Sequence, residues 1–73
     1  MQRITFYGWH VGMHKVSFSF LLRDEAGLGA KEAHEATIQV LNEKEVTLEV
    51  AGELATQLLA QAKALGVKCR LEP

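Results

Sequence analysis

Seventy-three residues allow one small domain, expected over residues 1–73, and a chain this short buries only about 60% of the surface that its unfolded form exposes. With 48% hydrophobic and 23% charged residues it is too apolar to stay disordered, yet no apolar run is long enough to cross a bilayer. A formal net charge of −1, with the basic residues scattered, lacks the basic stripe of a nucleic-acid binder, so neither nucleic acid nor membrane is expected as a partner.

In chain order, Arg3-Ile4-Thr5-Phe6-Tyr7 alternates apolar with polar and reads as a strand. Gly8-Trp9-His10-Val11-Gly12 reads as a loop bracketed by glycines. No helix breaker appears from Met13 to Ala26, and Gly27 stands where a left-handed residue would end that helix. A second helix is expected from Ala30 to about Asn42, with Ala33, Ala36, Thr37, Val40 and Leu41 at helical spacing and Lys31 in reach of Glu35. Glu45 to Val50 alternates strictly, directing Val46, Leu48 and Val50 inward and Thr47 and Glu49 to water. Ala51 to Leu65 is rich in helix formers and stops at Gly66, and Val67 to Glu72 alternates again as the last strand.

The order is therefore β-α-α-β-α-β. Two helices between the first and second strands let those strands run antiparallel, and one helix between the second and third makes those two parallel in direction. A fully antiparallel three-stranded sheet then needs the first strand in its centre. Each strand has one apolar face, so the three helices are expected on one side, giving an α+β two-layer sandwich.

The first helix has two apolar stripes. At about 100° per residue, Phe18, Leu21 and Leu22 point one way and should face the sheet. Met13, Val16 and Phe20 point nearly the opposite way, beside Lys15, Ser19 and Arg23. The second helix could cover this outer stripe, or it could stay open as a protein-contact surface or a homodimer seam.

Chemistry-bearing residues are sparse. Cys69 is the only cysteine, which excludes an internal disulfide and fits a reducing, cytoplasmic setting. The start Met1-Gln2-Arg3-Ile4 lacks the charged-then-apolar plan of a secretory signal. His10 and His14 have the spacing of a helical metal pair, but Gly12 lies between them and no third ligand is near in sequence. Ser17 and Ser19 have no base at a recognisable spacing, and Gly27 and Gly29 lack the continuation of a phosphate loop. No cofactor, metal or catalytic activity is expected. Trp9 reads either as a cover for the end of the sheet or as an exposed aromatic anchor.

The stretch Lys15 to Ala33 resembles the C-terminal domain of the bacterial ribosomal stalk protein L-seven/L-twelve. That family has a Lys-Val start to its first helix, an Arg, and then Gly-Leu-Gly-x-Lys-Glu-Ala. Lys15, Val16, Arg23, Gly27, Leu28, Gly29, Lys31, Glu32 and Ala33 occupy those positions without a gap. More loosely, the likeness runs on through the third helix, Gly66 and the last strand. It implies the same element order and a non-enzymatic domain that docks translational GTPases on its first helix and the start of its second. Lys15, Val16 and Arg23 match that surface. Ser19 replaces an aliphatic residue, Phe20 a Lys and His34 a second Lys, making the face less basic and more aromatic. The stalk protein also has a dimerisation segment and a hinge that these residues do not match, so a stand-alone domain is expected.

The Clp-protease adaptor ClpS has a similar fold, and Cys69-Arg70-Leu71-Glu72-Pro73 resembles its C-terminal end. Tyr7-Gly8-Trp9-His10 offers no carboxylate for a substrate's terminal ammonium, and Leu41 or Asn42 stands where that adaptor's histidine would be. The resulting expectation is a protein-interaction module using Lys15, Val16, Ser19, Phe20, Arg23, His34 and Trp9. A ClpS-like adaptor without the degron-reading residues, or a homodimeric structural protein, is the alternative.

Overall fold

The computed structural model describes every residue from Met1 to Pro73. Its six elements are β1 (Gln2–Trp9), α1 (Lys15–Asp24), α2 (Ala30–Leu41), β2 (Val46–Val50), α3 (Gly52–Ala64) and β3 (Val67–Glu72). The strands form one sheet in the order β2-β1-β3 with both pairings antiparallel, so the first strand is central, as expected from the number of helices between the strands.

Register sorts the two faces of the sheet. Ile4 pairs with Leu48 and Leu71, and Phe6 with Val46 and Cys69, giving apolar rows that face the helices. The fully buried Phe18 and Leu22 of α1, Val40 of α2 and Leu58 of α3 close over these rows. Phe6 and Phe18 meet edge to face, with centroids 5.1 Å apart and planes at 71°, the geometry their ring quadrupoles favour. On the opposite face Arg3 lies between Glu49 and Glu72, and Thr5 between Thr47 and Arg70. No helix covers Thr5, yet only 1% of it is exposed. Its hydroxyl is bonded to that of Thr47 at 2.8 Å. Arg70, ion-paired to Glu72 and Glu45, lies 5.0 Å over the Tyr7 ring beside it. Long polar side chains thus roof this face.

Three boundaries differ from the sequence expectation by two residues, one of them the end of α1, at Asp24 rather than Ala26. β1 does not stop at Tyr7 but runs on through Gly8 and Trp9. The register with β3 shifts between Phe6 and Gly8, so Tyr7 is the extra residue of a β-bulge. Beyond it Gly8 packs under Lys68, whose Cδ would lie 3.3 Å from an added Cβ. The bulge returns Trp9 to the side of its partner Val67, which faces the helices. α1 begins at Lys15 rather than Met13. The Met13 amide closes a turn on the His10 carbonyl at 3.1 Å, and the His14 amide bonds Leu65 O at 2.9 Å, so neither continues a helix. Downstream, the left-handed Gly27 (φ +77°) lets the Leu28 amide turn back onto Leu22 O. The pairing of Lys31 with Glu35 does not form; ion pairs join Arg23 to Asp24 and Arg70 to Glu45 and Glu72.

Candidate protein-contact surface

α1 lies across the helical layer with Phe18 and Leu22 turned inward, and this orientation fixes what its outer side presents. Leu21 is not part of that inward set. It stands at the edge of the buried arc, half-buried in the cleft toward α3. The outer stripe is also divided. Met13 precedes the helix and packs half-buried against the core beside Gly66, whereas Val16 and Phe20 are 61% and 48% exposed. The second helix therefore leaves the central part of the stripe open.

Around this crest the polar residues hold defined positions. The Arg23 guanidinium stacks 4.7 Å from the Phe20 ring centroid, and its Nε lies 3.1 Å from Asp24 Oδ1. Stacking one turn apart on the helix orients the ring and the cation together. Lys15 and His34 are exposed on opposite walls of a cleft between α1 and α2, which Val16, Ser19, Thr37, Ile38 and Leu41 complete. No carboxylate lines that cleft. On the other flank, Ser17, Phe20, Leu21, Asp24, Glu25, Gln61, Ala64 and Leu65 line a cleft between α1 and α3 that holds no cation. The two sides of α1 thus differ in sign.

Ser19 and Trp9 sit close to this surface but are occupied within the fold. Thr37 gives its hydroxyl proton to Ala33 O at 2.8 Å, so Ser19 donates to Thr37 Oγ1 at 2.7 Å. That bond fastens α1 to α2. The Trp9 Nε1–H donates to Leu41 O at 3.0 Å, latching the end of β1 to the last turn of α2 and occupying one of that helix's terminal carbonyls. Its ring remains 37% exposed at the margin of the α1–α2 cleft, where Leu41 also stands. Ile38, 43% exposed on the same cleft, was not singled out from the sequence. Its signal was present: on α2 it falls outside the arc of Ala33, Ala36, Thr37 and Val40, and an apolar residue off the buried arc marks a second face.

The remaining reactive groups do not converge. No group of three His, Cys, Asp or Glu side chains is placed to hold a metal ion. His14 caps α1 through its backbone, and the His10 amide donates to Gly66 O at 2.8 Å. Cys69 is buried, with Sγ 3.7 Å from Leu59 O. Burial pushes its thiol pKa up, against the opposing pull of the Lys63 ammonium. A neutral, enclosed thiol of this kind is a packing residue rather than a nucleophile. Every buried side-chain nitrogen and oxygen has a hydrogen-bond partner, so no orphaned polar atom waits for a ligand. No helix is long and apolar enough to cross a membrane. No protein-family model, curated protein or solved structure matches the chain.

Proposed function

We propose that this domain is a non-enzymatic, cytoplasmic protein-interaction module that receives its partner on the crest of α1. The observation that carries the reading is the exposure of Val16 and Phe20 side by side on a helix whose other apolar residues are buried or half-buried. Exposed aromatic and aliphatic groups at the centre of a charged rim have the composition of a contact patch. The Arg23 guanidinium stacked on Phe20 joins two residue types enriched among interface anchors, already ordered before a partner arrives. Lys15 and His34 extend the rim across the cleft, while Ser19 and Trp9 hold the two helices and the strand end that shape it.

The resemblance to the stalk C-terminal domain supports a translation-associated partner, because Lys15, Val16 and Arg23 match its docking positions. The aromatic Phe20 and the reduced basicity argue for a partner surface more apolar than the one the stalk domain meets.

A photo-crosslinking amino acid placed at Val16 or Phe20 in cells tests this reading, with Glu49 on the opposite sheet face as control. Adducts are expected from the two α1 positions and not from Glu49. No adduct at α1, or equal yields from all three positions, would refute the assignment. Adduct mass also identifies the class of partner: twice the 8.1 kDa chain mass marks a second copy, and any other mass a different protein.

A further inference from the structure

We infer that the cleft where β1, α3 and β3 meet is a binding site for a small phosphate monoester, held by Lys63, Lys68, His10 and Tyr7. It shares no residue with the two clefts beside α1, so it stands or falls independently of the contact surface.

The cleft is the largest in the molecule, about 500 Å³, within the range of about 300–1,000 Å³ usual for small-molecule sites. Tyr7, His10, Lys63, Val67, Lys68 and Cys69 line it. Three segments supply these residues, and the left-handed turn at Gly66 draws them together. The Gly66 carbonyl receives the His10 amide at 2.8 Å, and the Gly66 amide donates to Lys63 O at 3.1 Å. Lys68 lies with its stem over Gly8, where no Cβ stands in its way. Arg70, stacked 5.0 Å from the Tyr7 ring centroid, holds that ring from the side.

The chemistry of the lining is one-sided. Lys63 and Lys68 are donors only, and the Tyr7 hydroxyl and the His10 imidazole each add a donor. No carboxylate lines the cleft, and neither lysine is in an ion pair. Composition does not account for this, because the chain has nine acidic residues against eight lysines and arginines. Neither of the other clefts brings two ammonium groups together. Arg70 makes the contrast, since Glu45 and Glu72 both neutralise it. Two like charges on one cleft repel each other, and an anion between them relieves both.

The two charges select a dianion. A phosphate monoester carries about −1.5 to −2 near neutral pH and offers three terminal oxygens, a set that matches the two lysines and the Tyr7 hydroxyl. A carboxylate offers less charge and fewer oxygens. Lysine meets phosphate as a compact point charge, so no fork geometry is needed. The organic part of the ester finds the exposed Tyr7 ring and the Val67 floor, whereas inorganic phosphate makes the polar contacts alone.

Amide chemical-shift titration of the full chain tests the site, near about pH 7.5 where the ester is a dianion, with ionic strength held constant by sodium chloride. The probes are inorganic phosphate and phenyl phosphate, each taken to about 50 mM. Phenyl phosphate is expected to saturate with a Kd of roughly 1–5 mM, with the largest shifts at Tyr7, His10, Lys68 and Cys69. Inorganic phosphate should shift the same amides but bind on the order of fivefold more weakly. Lys63→Gln with Lys68→Gln should weaken phenyl phosphate by about tenfold or more. Lys31→Gln with Lys44→Gln removes the same charge elsewhere and should leave binding within about twofold of the parent. Circular dichroism checks that both variants are folded. Shifts that grow without saturating, shifts centred on other residues, or equal losses in the two lysine pairs would each overturn the site. Equal affinity for the two probes would overturn the ester as its ligand.

Discussion

Replacing Gly66 by alanine should destabilise this domain far more than the same change at Gly27, and the difference can be worked from the geometry. Both glycines hold a left-handed backbone, φ +88° at Gly66 and +77° at Gly27. An L side chain there costs about 1–2 kcal/mol through the clash of Cβ with the carbonyl oxygen. At Gly27 nothing lies within 4 Å of the added carbon, so that cost is the whole effect. At Gly66 the Cβ would stand 3.1 Å from Met13 Cα and 3.5 Å from Met13 N, and backbone cannot step aside as a flexible side chain can. Forcing that approach adds about 1–2 kcal/mol of overpacking, for a total of roughly 2–4 kcal/mol. Net stability for a core this size is about 3–5 kcal/mol, so the variant should be partly unfolded at room temperature. Urea titration followed by Trp9 fluorescence and circular dichroism measures both losses. With a slope of about 1 kcal/mol/M, the midpoint should drop by roughly 2–4 M for Gly66→Ala and 1–2 M for Gly27→Ala. The displaced strand end also carries the carbonyls of Leu65 and Gly66, which anchor the His14 and His10 amides ahead of α1. Amide exchange at those two residues should therefore accelerate in Gly66→Ala alone. Equal losses at the two glycines would refute the steric part of the reasoning.

Glu43 is the one non-glycine residue at positive φ (61°), so Glu43→Gly should raise the urea midpoint, by about 0.5 kcal/mol after the entropic cost of glycine in the unfolded chain; a fall would show that its side chain stabilises the turn. Ser19→Ala removes the donor to Thr37 and should cost about 0.5–1.5 kcal/mol in thermal or urea unfolding, because the α1–α2 contact loses its one side-chain hydrogen bond. Trp9→Phe keeps the ring area but loses the bond to Leu41 O, with an expected cost of about 1 kcal/mol and faster amide exchange at the last turn of α2. Cys69 supplies the pH dependence. Its folded pKa is raised by burial, so below about pH 8.5 both states hold the proton and its contribution is complete. As pH rises past that value the unfolded thiol ionises first and stability falls. Urea titrations from neutral to alkaline pH should show that decline in the parent and a shallower one in Cys69→Ala; identical slopes would contradict it.

Strand and helix identity, the central place of β1 and the coverage of one face were legible in the sequence, because each depends on the local alternation of apolar and polar groups and on the number of helices between strands. The bulge at Tyr7 was not. A strand that takes in Gly8 and Trp9 depends on pairing with Lys68 and Val67, nearly sixty residues away. The start of α1 was misplaced for the same kind of reason: local propensity admits Met13 and His14 to the helix, but their amides are claimed by His10 O and Leu65 O. Leu21 could not be assigned to an edge by phase alone, since α3, which borders it, arrives forty residues later.

The candidate surface divides along the same line. Periodicity by itself determined that α1 has an apolar outer stripe and which residues flank it, because a helix converts sequence spacing directly into direction. It could not determine what lies above those residues. Tertiary structure drew Met13 into the core against Gly66, tied Ser19 to Thr37, used Trp9 as a latch on α2, and left Val16, Phe20 and Ile38 exposed. Which helix borders each flank of α1, and so which clefts Lys15 and Asp24 line, likewise emerged only when α2 and α3 took their places on either side of it. Direction is a property of one helix, but exposure is a property of its neighbours, and those are brought together only by the fold.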